Sequence, residues 1–255
     1  MKKSLLSLAL ASATATVTTL GVAADANAAD PGFSITGNIG VATDYRFRGV
    51  SQTNKKPAVQ GGIDLAASNG LSLGIWTSNV SEWANPGGAQ EVDVYGGYAT
   101  EVEGVGVSVG AVSYMYPKNN PVGLLPSNKT LEYYVGLSYG PVSYKASIAR
   151  GNWFGIEADG GVYHDLTASL GSLGMSDKYS FAIHVGKQMI SESGAETGND
   201  YGFTDYSVKA NYAISDSLSA ALTVSKVVYS NATDGESWFL DNGGGAVVLS
   251  ITKTF

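Results

Sequence analysis

The chain has 255 residues with 33 Gly, 15 Tyr, no Cys and only 15% charged side chains, a composition foreign to disordered tails and disulfide scaffolds alike. Fifteen Lys plus Arg against 22 Asp plus Glu give a net charge of -7, which repels polyanions and excludes nucleic acid as a natural partner.

Lys2 and Lys3 precede an apolar stretch, Leu5 to Leu10, and a small-residue run then leads to Ala26-Asn27-Ala28. That order predicts a cleaved secretory signal peptide over residues 1–28 and a single mature domain over 29–255. No later stretch approaches the roughly 20 apolar residues a spanning helix needs, so a membrane-embedded form would cross as strands.

From Phe33 the sequence alternates. Phe33, Ile35, Ile39, Val41, Tyr45 and Phe47 share one parity, and Ser34, Thr36, Asn38, Asp44 and Arg46 the other. This reads as one long first strand whose length suits a membrane of tilted strands, which need about 9 to 11 residues each. A second strand carries Val59, Ile63 and Leu65, and Asn69-Gly70 marks a hairpin turn because both residues tolerate positive φ. A third begins at Leu71. Nine further strands follow at about Gln90 to Glu101, Val105 to Tyr116, Thr130 to Tyr139, Val142 to Arg150, Val162 to Leu170, Lys178 to Lys187, Thr204 to Ile214, Ser217 to Val228 and Ala246 to Phe255. Short and long connections alternate. The fold predicted is all-β, a transmembrane antiparallel up-and-down β-barrel of 12 strands, as in bacterial outer membranes.

Parity separates two environments. Val94, Val109, Val135, Leu137, Ile183, Val208, Leu222 and Leu249 fall on an outward face. Tyr98, Tyr139, Tyr144, Phe181, Tyr212 and Phe255 form one predicted aromatic girdle near the short turns, and Tyr45, Phe47, Tyr133 and Tyr206 a second near the long loops. The inward parity holds Asp44, Arg46, Arg48, Asp64, Glu91, Asp93, Glu101, Glu132, Lys145, Asp165, Asp205 and Lys209, with Trp76, Tyr95, Tyr114, Tyr116 and Tyr134 as lumen aromatics. Phe255, a terminal aromatic in phase with Leu249 and Ile251, has the look of a signal for the outer-membrane assembly machinery.

The segment Val41 to Thr53 (VATDYRFRGVSQT), with Pro57 to Asp64 (PAVQGGID) and Gly74 to Asn79 (GIWTSN), resembles the TorF family of bacterial outer-membrane barrels, long described as of unknown function. The resemblance implies an outer-membrane barrel of a Gram-negative bacterium concerned with transport, and it implies no catalytic residues.

Twelve strands about 4.8 Å apart and tilted near 40° enclose a backbone diameter of roughly 24 Å, between barrels that side chains fill and barrels with wide channels. The expectation is a porin-like channel for passive diffusion of small hydrophilic solutes, with lipid and small solutes as partners and no cofactor or metal. Acidic lumen residues outnumber Arg46, Arg48, Lys145 and Lys209, so cations and neutral solutes should be favoured. Asp44, Arg46 and Arg48 form either a solute-orienting constriction or an internal ion-pair network. Asp234-Gly235-Glu236 and Asp241-Asn242-Gly243 offer carboxylates for calcium but no ligand spacing, and a solvated loop is the plainer reading. Two other classes stay open: a structural or adhesive barrel with a plugged lumen, and a membrane-embedded hydrolase, for which only His164 and His184 could serve as base.

Overall fold

A computed structural model describes residues 32–117, 129–151, 153–154, 158–192, 202–230 and 241–255. The predicted signal peptide, Asp234 and Glu236 lie outside these residues. Among the described residues fourteen strands occur: β1 (Phe33–Ala42), β2 (Arg46–Phe47), β3 (Val50–Ser51), β4 (Ala58–Ala67), β5 (Leu71–Asn79), β6 (Gln90–Val102), β7 (Val105–Met115), β8 (Thr130–Tyr139), β9 (Val142–Ala149), β10 (Ala158–Gly171), β11 (Tyr179–Glu192), β12 (Phe203–Ser215), β13 (Leu218–Tyr229) and β14 (Gly245–Thr254). Twelve of them close into one antiparallel barrel in sequence order, and β2 and β3 pair only with each other. β1 pairs with β4 from Phe33↔Ala67 to Ala42↔Ala58 and closes the cylinder on β14 from Asn38↔Thr254 to Ala42↔Ser250.

Alternation of β-branched and small polar residues produces these strands, and the solvent on each side decides which parity points where. Outside, Ile35 and Val247 are 65% exposed, Val59 58% and Val208 53%. An apolar face wrapping a whole cylinder far exceeds the few hundred Å² that a protein surrounded by water leaves uncovered. Hydrocarbon is the solvent that suits it. Tyr98, Tyr139, Tyr144, Tyr212 and Phe255 are exposed around the short-turn rim, and Tyr133 and Tyr206 toward the long-loop rim. Phe181 shares the outward parity but is half-buried.

Phe255 also fastens the seam. Its carbonyl accepts from Gly37 N at 2.8 Å, its N–H donates to Gly37 O at 3.0 Å, and its ring lies where a Cβ on Gly37 would stand.

The predicted first strand is too long. β1 ends at Ala42, Thr43 N reaches Leu249 O at 2.9 Å, and the chain then turns into the barrel. Tyr45 is completely buried in an interior cluster with Trp76 and Tyr114, and Phe47 packs against that cluster. Neither belongs to the girdle in which alternation alone placed them. Local chemistry overrides the alternation: Asp44 Oδ1 accepts the hydroxyls of Ser51 (2.6 Å) and Thr53 (3.0 Å), and Oδ2 accepts Arg46 Nε (2.8 Å). One carboxylate thereby folds residues 44–53 back on themselves, as Asp does where it competes with a ladder for backbone structure.

Candidate functional site

The inserted segment is a minimal hairpin. Arg46 faces Ser51 and Phe47 faces Val50, which leaves Arg48 and Gly49 as the two turn residues with φ of 50° and 79°. Positive φ at both central positions is the mirror-image turn that matches strand twist. Gly49 is also obligatory by space, because a Cβ there would press on Val227 of β13 and Asp205 of β12. The tip therefore touches the wall at β12 and β13, on the β14 side of β1.

From its base upward the hairpin meets the wall strand by strand. Tyr45 stands edge-on to Trp76 of β5 (5.3 Å between centroids) and donates its hydroxyl to Glu91 of β6 at 3.2 Å. Burial, reinforced by Glu91 and Asp93, pushes the Tyr45 phenol well above its ordinary pKa, so it remains a donor. Phe47 packs edge-on against Tyr114 of β7 and against Phe154, each at 5.4 Å. Arg48 reaches furthest, with Nη2 2.6 Å from Glu132 Oε2 on β8 and Nη1 2.7 Å from Gln188 Oε1 on β11. Its guanidinium carbon sits 4.2 Å from the Tyr163 ring centroid and 4.6 Å from that of Phe47.

The lumen candidates read from the sequence divide into two levels, and Glu101, at the short-turn end of β6, is exposed. Asp44, Arg46, Arg48, Glu91, Asp93, Glu132, Trp76 and Tyr114 lie at the hairpin, where Glu91 and Glu132 are 1% exposed. Asp44 with Arg46 and Arg48 with Glu132 form buried ion pairs. Nearer the short-turn rim, Asp64 accepts the Tyr95 hydroxyl at 2.6 Å and Lys145 lies 5.9 Å from the Tyr134 ring centroid. Asp165 approaches His184 at 3.3 Å, and Lys209 stands opposite Ala182 and Thr223. Of the loop carboxylates considered for calcium, Asp241 is described, and no group of three or more His, Cys, Asp or Glu among the described residues is arranged to hold a metal.

Sequence reasoning missed the polar cluster around His184. Nε2 lies 2.9 Å from Asp205 Oδ1 and 3.1 Å from the Tyr163 hydroxyl, which itself donates to Asp205 Oδ2 at 2.9 Å. On the other side Nδ1 lies 3.2 Å from Thr167 Oγ1, while that hydroxyl donates to Asp165 Oδ1 at 3.0 Å. Carboxylates facing both ring nitrogens suit an imidazole with two N–H donors, which leaves no lone pair to activate Thr167. The cluster braces the wall. Residue spacing along one strand could not reveal it, because Thr167, His184 and Asp205 come from β10, β11 and β12.

Residues 25–255 match the family described as a bacterial protein of unknown function (Gcw_chp). No functionally curated protein matches the chain. Among solved structures, the NanC porin aligns with a TM-score of 0.52 at 12% identity, covering 87% of this chain and 99% of that one. Pseudomonas aeruginosa OprD aligns more loosely, with a TM-score of 0.46 at 12% identity over 89% of this chain and 68% of its own. The chain thus belongs to the Gcw_chp family and has the closed β-barrel fold seen in the NanC porin.

Proposed function

We propose that the chain is an outer-membrane channel through which small hydrophilic solutes diffuse passively, narrowed by its own inward hairpin. One observation carries this reading: the large polar side chains of the lumen are sealed at the hairpin and keep solvent contact toward the short turns. At the hairpin Glu91, Glu132 and Gln188 are essentially sealed, whereas toward the short turns Asp64, Tyr95, Tyr134, His184, Ser207 and Asn211 all keep solvent contact. A barrel serving purely as a scaffold would be filled throughout, as eight-stranded barrels are. The predicted export signal, the outward apolar face and the resemblance to TorF barrels support an outer-membrane site, and Phe255 is the residue we assign to recognition by the assembly machinery.

Selectivity follows from what the ion pairs leave over. Arg46 and Arg48 are matched by Asp44 and Glu132, while Asp64 and Glu101, which keep solvent contact, add negative charge toward the short-turn rim. Carboxylates in a channel walled by hydrocarbon focus a negative potential, so cations and neutral solutes should pass before anions. A salt gradient across a planar bilayer tests this: the reversal potential should indicate cation preference, and anion preference would refute it.

The second reading, a barrel plugged for structural or adhesive purposes, draws on the complete burial of Tyr45 and Gln188. It expects no solute flux in liposome swelling even though the folded barrel migrates heat-modifiably on gels. A hydrolase fits less well. His184 is engaged by carboxylates on both sides, and His164 faces outward with Nδ1 2.7 Å from the Tyr144 hydroxyl.

A further inference from the structure

The Arg48 guanidinium occupies a seat made largely by the wall. Glu132, Tyr163 and Gln188 belong to β8, β10 and β11, and the barrel register fixes them independently of the hairpin. Tyr163 stands directly opposite Gln188, while Glu132 faces Ala149, which in turn faces Gly161. Two small residues thus stand between the carboxylate and the Tyr163–Gln188 pair, with Trp153 packed in the same cluster as Ala149 and close to Gly161.

Each wall group is also aimed before Arg48 arrives. Gln188 Nε2 donates to the carbonyls of Val162 (3.3 Å) and Met189 (3.4 Å), which turns Oε1 toward the lumen. The Tyr163 ring is tethered through its hydroxyl to Asp205, and Tyr114 donates to Glu132 Oε2 at 3.4 Å. The result is two acceptors spaced for the two ends of one fork and an aromatic face beneath it. That chemistry selects a guanidinium over an ammonium, because a point charge cannot reach both acceptors while stacking flat.

We propose that Glu132, Gln188 and Tyr163 form a receptor for guanidinium cations that Arg48 fills in cis, so that a solute bearing a guanidinium group takes the same seat and frees the hairpin tip. Binding rests on this geometry alone. The release step rests on the channel reading given above, and the two are separable by experiment.

Ethylguanidinium reproduces the end of the Arg48 side chain and is the probe. Titrated calorimetrically into the refolded Arg48→Ala barrel in detergent, it should bind in roughly the millimolar range, about tenfold or more tighter than ethylammonium and about tenfold or more tighter than to the wild-type chain, where Arg48 competes. Adding Glu132→Gln to Arg48→Ala should abolish that preference. Equal affinity for the two cations, or equal affinity of wild type and Arg48→Ala, would overturn the receptor. Should Arg48→Ala not refold, Arg48→Gln takes its place. If neither refolds, the wild-type chain decides: it must still bind ethylguanidinium in preference to ethylammonium, and parity refutes the site. In bilayers, ethylguanidinium at the long-loop side should raise wild-type conductance above that in equal ethylammonium. Selective binding without that rise removes the release step, and absence of current in every variant faults the channel reading while leaving the seat intact.

Discussion

Arg48 and Gly49 concentrate the consequences of a few atoms. Gly49→Ala adds a methyl group at φ 79° against Val227 and Asp205, so the hairpin tip should lose about 1–2 kcal/mol and open-channel current should rise. Bilayer recordings beside the wild type check this, and unchanged current would mean that the tip does not hold the constriction. Glu132→Gln leaves a buried guanidinium without its carboxylate. Removing one partner of an ion pair with side chains 6% and 1% exposed should cost about 3 kcal/mol, read as a lower temperature at which the heat-modifiable band unfolds. Which residues of a strand share a face was legible because parity in a strand is a rigid consequence of backbone geometry. Their partners were not. Arg48 to Gln188 spans 140 positions, and only closure of the barrel brings them together. Tyr163, Gln188 and His184 carry no local signal of what faces them.

The strands themselves were readable wherever one face meets hydrocarbon and the other water. β6 through β9 begin where alternation places them and end within a residue, because turns such as Glu103-Gly104, with φ of 53° and 81°, leave little freedom of register. The failure came at β1. Tyr45 and Phe47 keep the apolar parity of Phe33 to Val41, so periodicity continued the strand, while Asp44, Ser51 and Thr53 had already closed a turn. An Arg-Gly dipeptide between Phe47 and Val50 was the available clue, weaker than Asn-Gly because Arg rarely adopts positive φ. Outward parity gives a separate prediction. Ile63, 55% exposed near the middle of β4, should tolerate Leu, whereas Ile63→Arg at the centre of the apolar belt should cost about 2–4 kcal/mol in lipid. Equilibrium unfolding from vesicles measures it, and a cost near zero would place that face in water.

At the scale of the molecule, one cylinder separates an apolar exterior from a polar interior, and one segment of chain divides that interior into a sealed level and a solvated vestibule. The hairpin contributes no strand to the barrel. β1 and β4 already pair over ten residues, so the wall does not need residues 44–53 for its closure. Replacing those residues with a short Gly-Ser linker and recording single-channel currents in planar bilayers therefore tests the account most directly. Wild type should conduct weakly with cation preference, and the deletion should raise conductance several-fold while the barrel still shows heat-modifiable migration. A correctly folded deletion variant that passes no more current than the wild type would contradict the account.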